Sequence, residues 1–139
     1  MPRKTREVMT PAPVALRSDT SLVEAARTMR DQGIGTVLVH DDDRLCGLVT
    51  DRDIVVRAIA ADRSPTTTTL AEICTQELVT VGPNEAAGAA VRLMRANAVR
   101  RIPVVEDGQA IGILSLGDMA IERDERSALA DVSAAPPNV

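Results

Sequence analysis

Phenylalanine, tyrosine and tryptophan are all missing from this chain of 139 residues. A core must then be assembled from Val, Ile, Leu, Ala and Met, which suits short strands and closely packed helices. The same absence excludes a nucleic-acid groove that stacks bases on aromatic rings. Positive charge is also short: 16 Lys and Arg face 20 Asp and Glu, a formal net charge of −4. That is the wrong sign for a general binder of phosphate backbones. The basic start (Arg3, Lys4, Arg6) is too short to reverse it. No apolar run is long enough to span a bilayer, and the opening residues lack the apolar centre of a signal peptide. A cytoplasmic protein with neither a membrane nor a nucleic-acid partner is expected. Histidine is limited to His40, so no metal site is expected. Cys46 and Cys74 lack CxxC spacing and are expected as reduced, buried thiols. One histidine cannot serve a Ser/His/Asp or Cys/His constellation, and the three acids Asp41, Asp42 and Asp43 read as a solvated turn. The chain is not expected to be an enzyme.

What the sequence does contain, it contains twice. A shift of 65 positions lays Glu7 on Glu72, Val14 on Val79, Ala25 on Ala90, Met29 on Met94 and Val39 on Val104 without a gap. Two copies make a tandem pair, each needing a neighbour to cover an apolar face. In copy one, Pro13 to Leu16 reads as a strand, and Ser21-x-x-Glu24 as a capping box. Leu22, Ala25, Ala26 and Met29 then form the apolar stripe of a helix ending near Gly33. Thr36 to Val39 and Leu45 to Val49 form a hairpin, and Thr50 starts a second helix reaching about Ala60. The order is β-α-β-β-α. Copy two repeats it, with a strand at Leu78 to Val81, a helix through Ala87, Ala90, Val91 and Met94, and a hairpin pairing residues 102–105 with 110–114. The expected boundaries are 7–61 for repeat one, 62–71 for an exposed linker and 72–126 for repeat two. Residues 127–139, rich in Ala, Ser and Pro, are expected as a disordered tail.

Each copy places a glycine, two aliphatic residues, a hydroxyl residue and, three positions on, an acid where a strand becomes a helix. Thr50-x-x-Asp53 and Ser115-x-x-Asp118 are in the first instance helix caps with an acid in the first turn. A second reading stands beside it. Gly47 and Gly112 leave room in their strands for a close approach, and a helix start presents free N–H groups to a phosphate. A hydroxyl there can donate to a phosphate oxygen, and a carboxylate one turn on can accept from a ribose diol.

Those two stretches, Gly47 to Asp53 and Gly112 to Asp118, together with Arg100-Arg101-Ile102-Pro103-Val104-Val105, resemble a tandem pair of cystathionine-β-synthase (CBS) domains, a Bateman module of the small stand-alone bacterial type. The resemblance covers about Glu7 to Ile121. It implies an α+β fold of two β-α-β-β-α repeats related by a pseudo-twofold axis and packed sheet to sheet. It also implies a non-catalytic regulatory role, binding AMP, ADP, ATP or S-adenosylmethionine in the cleft between the repeats, with no obligatory cofactor. Carried over by motif, Asp53 and Asp118 would hold ribose hydroxyls, and Thr50 and Ser115 would face phosphates. Arg100 and Arg101, just before Ile102 and Pro103, match a phosphate-binding base, with a solvated charge pair as the competing reading. Adenine would lie against Val14 and Leu16 in one copy and Leu78 and Thr80 in the other.

Copy one departs from the pattern by carrying Gly35-Thr36-Val37-Leu38, with neither base nor proline; Arg52 is the candidate substitute base, with pairing to Asp51 and Asp53 as the competing reading. The copy-two site is therefore expected to bind phosphate better. The family also implies a homodimer formed through helices, here by Ile54, Val55, Ala58, Ile59, Met119 and Ala120. The alternative function is a ligand-independent dimeric interaction module of the same fold, with a protein partner that the sequence does not name.

Overall fold

A computed structural model describes residues 3–75 and 78–123; the tail expected at 127–139 lies outside them. The described chain is a mixed α+β structure with two three-stranded sheets. It forms two compact units, one from residues 14–75 with 78, the other from residues 3–13 with 79–123.

In the first unit, β2 (Ala15–Arg17) lies parallel to β3 (Thr36–Asp41), which pairs antiparallel with β4 (Arg44–Thr50). Between β2 and β3 runs α2 (Leu22–Gln32). The Ser21 side chain accepts from the Glu24 N–H at 3.2 Å, and Gly33 ends the helix at φ 64°, a left-handed conformation glycine adopts without penalty. Leu22, Ala25 and Met29 turn inward onto Val37, Val39 and Val49; Ala26 is exposed. After β4 the chain enters α3 (Asp51–Asp53) and widens into a π-helical turn (Ile54–Ile59), where the Ala60 N–H reaches back five residues to the Val55 carbonyl at 2.9 Å.

The second unit follows the same plan with α5 (Ala87–Ala96), β5 (Arg101–Glu106), β6 (Gln109–Ser115) and α6 (Leu116–Arg123). Its core joins Ala87, Ala90 and Met94 to Ile102, Val104, Leu114 and Met119. The leading strand expected at Leu78 to Val81 is reduced to one parallel bridge, Val81 to Val104. Both hairpins carry a register shift at equivalent places, between Val39 and His40 and between Val104 and Val105.

Sequence repeats and compact units are cut differently, because each unit is completed by a segment outside the hairpin-bearing part of its repeat. In the second unit, α1 (Thr5–Val8) and β1 (Thr10–Pro11) lead in, and β1 pairs with β6 through Thr10 to Ile113 and Pro11 to Gly112. In the first unit, residues 65–75, with α4 (Leu70–Ile73), take the equivalent place, and Thr75 bridges Leu48. The linker expected to be exposed at 62–71 is therefore partly interior: Thr68 and Leu70 are buried. Its carbonyls also serve a helix start, Leu22 N–H donating to Thr68 at 3.0 Å and Val23 N–H to Pro65 at 3.1 Å. An α-helix leaves its first N–H groups without internal partners, so the linker is held by need on both sides. Arg3 does the same for α5, accepting from the Ala87 N–H at 2.8 Å.

Candidate functional site

The two strand-to-helix turns are built alike. At the first, the Thr50 N–H donates to Asp53 Oδ2 at 2.9 Å while the Asp53 N–H donates to Thr50 Oγ1 at 3.1 Å. At the second, Ser115 and Asp118 exchange the same bonds at 2.9 and 3.0 Å. Each hydroxyl and each acid is thus a reciprocal cap, satisfying N–H groups at a helix start. The acids differ in what remains. Asp53 Oδ1 faces the Arg57 guanidinium at 3.7 Å, and Arg57 is itself anchored by donating to the Ile73 carbonyl at 3.1 Å. Asp118 has no ion pair among the described residues, which leaves its Oδ1 open.

The strand beside each turn supplies the rest. Thr36 pairs with Thr50 and Arg101 with Ser115, so each pair shares a sheet face. The Asp51 N–H donates to the Gly35 carbonyl at 3.0 Å, and the Leu116 N–H to the Arg100 carbonyl at 2.9 Å. Arg100 and Arg101 are exposed and make no side-chain hydrogen bond or ion pair among the described residues. Ile102 belongs to the core, and Pro103 is fully buried. Val14, which accepts from the Leu38 N–H at 2.9 Å, and Leu16 are half-buried at the edge of their sheet. Leu78 and Thr80 fall in different units.

Two site residues carried no signal in the repeat. Thr36 is 8% exposed, and its Oγ1 is a buried oxygen with no hydrogen-bond partner among the described residues. The Asp51 carboxylate lies across the α-carbon of Gly35, its Oδ2 3.1 Å from where a β-carbon would stand. Both sit where the copies differ, so the repetition that exposed the motif is silent there.

Gly47 and Gly112 have a different role from the ligand approach expected of them. A β-carbon on Gly47 would stand 2.7 Å from Cys74 Sγ, and one on Gly112 would collide with Met9 Sδ. The space admits the chain's own leading segments. Cys46 and Cys74 are half-buried rather than fully buried, packed on the first core in the slots that Ile111 and Met9 fill in the second. Burial pushes the Cys46 thiol above its ordinary value, with the Asp41 carboxylate and Cys74 adding to it.

The expected helix contact face is also altered. Ile54, Ala58 and Met119 are core residues, and the side chain of Ala120 lies outside the described residues. Val55, Val56 and Ile59 are the exposed ones, at 58%, 49% and 52%. Beside Ile59 opens an apolar groove of about 360 Å³, floored by Leu22, Ile54 and Pro65 and edged by Arg27 and Arg30. Among the described residues, no helix is long and apolar enough to cross a membrane, and no group of three His, Cys, Asp or Glu is placed to hold a metal.

Two sheets of the same plan, each ending in a hydroxyl–acid turn, define a tandem α+β module. The chain belongs to the CBS domain family, which it matches over residues 6–59 and 70–124. Hypoxic response protein 1 of Mycobacterium tuberculosis is 32% identical over 130 residues, covering 93% of this chain and 91% of that protein. The CBS domain-containing protein YhcV of Bacillus subtilis is 32% identical over 118 residues, covering 85% and 84%. A crystal structure of Hypoxic Response Protein I, with two coordinated zinc ions, is similar with a TM-score of 0.78 over 86% of this chain and 98% of that one.

Proposed function

We propose that the chain is a non-catalytic regulatory module that binds an adenosine-containing ligand (AMP, ADP, ATP or S-adenosylmethionine) at its strand-to-helix turns. The observation that carries this reading lies in repeat two. Arg100 and Arg101, without partners among the described residues, stand at the start of β5 beside the Ser115–Asp118 turn. Two guanidiniums without acids to neutralise them suit a phosphate. Ser115 would face that phosphate, and the open Oδ1 of Asp118 would accept from a ribose hydroxyl. In repeat one Asp53 would hold a ribose hydroxyl and Thr50 would stand in the phosphate-facing place, with phosphate bound less well there than in repeat two. Val14 and Leu16 in one copy, and Leu78 and Thr80 in the other, would offer aliphatic surface to adenine, which in the absence of rings is held by dispersion and backbone hydrogen bonds.

The test is a thermal-shift panel of adenine nucleotides and S-adenosylmethionine, read with an extrinsic dye because the chain has no tryptophan. A ligand at 100 times its Kd stabilises the native state by about 2.7 kcal/mol, a shift of several degrees in a small domain. Asp118→Ala is expected to abolish the shift given by a nucleotide. No shift with any ligand at millimolar concentration would reject the reading.

A second reading has its own support. Each acid already serves as a cap, and Val55, Val56 and Ile59 expose apolar surface. Under that reading the module works as a homodimer or through a protein partner, without a ligand.

A further inference from the structure

The two turns share their caps and differ in the charge around them. In the alignment of the copies Gly35 stands for Arg100, Thr36 for Arg101 and Asp51 for Leu116. Repeat two therefore surrounds its turn with two guanidiniums, unpaired among the described residues, and an exposed leucine, whereas repeat one surrounds its own with a carboxylate, a hydroxyl and the Arg57 guanidinium already paired with Asp53. The carboxylate is fixed in place: Asp51 Oδ1 accepts from the Arg52 N–H at 2.8 Å, and the group covers Gly35. The Arg52 side chain, by contrast, is exposed and makes no bond among the described residues. The buried Thr36 hydroxyl, on the face it shares with Thr50, has no hydrogen-bond partner among the described residues. Native structures seldom leave such an atom unpaired.

We infer that repeat one takes an adenosine ligand without a phosphate, with preference for one that carries a positive group, while phosphorylated ligands go to repeat two. This rests on the proposed function. A phosphate at the repeat-one turn would face the Asp51 carboxylate, and like charges at that range disfavour binding roughly tenfold. The sulfonium and ammonium of S-adenosylmethionine would meet the same carboxylate favourably.

The experiment is isothermal titration calorimetry of the intact protein with AMP, adenosine and S-adenosylmethionine as probes. Protein saturated with AMP is expected to take up one further equivalent of S-adenosylmethionine or adenosine per chain. Asp118→Ala is expected to lose AMP and keep the phosphate-free probes, with Asp118→Asn, which retains a capping oxygen, as the second variant should the helix start weaken. Asp51→Leu, an exposed exchange that copies repeat two, is expected to raise AMP affinity at repeat one about tenfold with adenosine unchanged. The inference is overturned if AMP-saturated protein takes up neither phosphate-free probe, or if Asp51→Leu leaves the AMP preference of repeat one as it was. Failure of all three probes to bind the wild-type protein is a separate result, and removes the ligand-binding reading together with this one.

Discussion

Thr36 is a threonine in a slot where valine would pack without an orphaned oxygen. Its Oγ1 is buried and unpaired among the described residues, followed on β3 by Val37 and Leu38, both fully buried. A desolvated hydroxyl without a partner costs about 1–3 kcal/mol, so in the free protein Thr36→Val is expected to raise stability by about 1 kcal/mol, read as a higher denaturation midpoint in urea. A loss of stability would show that the hydroxyl is already satisfied. Nothing in the sequence could flag this residue, because a threonine at the head of a β-branched strand is ordinary until its surroundings are known. The same holds for Ala98, which aligns with Gly33 and keeps its left-handed backbone at φ 53° without being glycine. Thr50, Asp53, Ser115 and Asp118 were legible for the opposite reason. Their chemistry is local, spaced by one helical turn, and written in both copies.

At the scale of elements, the hairpin and first helix of each repeat followed from their apolar spacing; the strand expected at Leu78 to Val81 and the segments between the repeats did not. Four consecutive threonines after Pro65 look like solvent-exposed linker, yet Thr68 is buried and its carbonyl serves α2. That burial depends on a helix start more than 40 positions back in sequence, which no local pattern encodes. The same segment carries a charge lock that titrates. The Thr69 N–H donates to Glu72 Oε2 at 2.6 Å, and the Arg63 guanidinium reaches Glu72 Oε1 at the same distance. The Thr69 N–H, with Arg63 adding to it, holds the Glu72 carboxyl below its ordinary value. A carboxyl whose folded pKa is depressed adds stability above its unfolded pKa and loses it as pH falls through the folded value. Melting temperature is therefore expected to fall as pH drops through the carboxylate range, about pH 5 to 3. Glu72→Gln should melt lower at neutral pH and show a shallower acid limb; parallel limbs for the two proteins would contradict the lock.

At the scale of the whole molecule, each unit has its own apolar core, but the first leaves apolar surface that its core does not use. Of the expected contact face, Ile54, Ala58 and Met119 are core residues while Val55 and Ile59 are exposed; the chain after Asp53 is not a regular α-helix. Its π-helical turn keeps Ile54 and Ala58 inside and directs Val55, Val56 and Ile59 outward. Ile59 also lines the groove formed with Leu22, Ile54 and Pro65, whose lining includes Arg27 and Arg30. An exposed apolar patch on a small protein marks an association surface, and a chain with equal patches can satisfy them by pairing with a second copy. Multi-angle light scattering at tens of micromolar is then expected to give twice the chain mass. Val55→Glu with Ile59→Glu, both exposed in the single chain, should reduce that to one chain mass while leaving the urea midpoint of the monomer's fold intact, since a pair of buried carboxylates at an interface has no partner to offset its desolvation. A dimer that survives both substitutions would move the interface away from the π-helical turn. A wild-type protein of single-chain mass would leave the patch to a different partner, and the arginine rim would direct the search toward an acidic one.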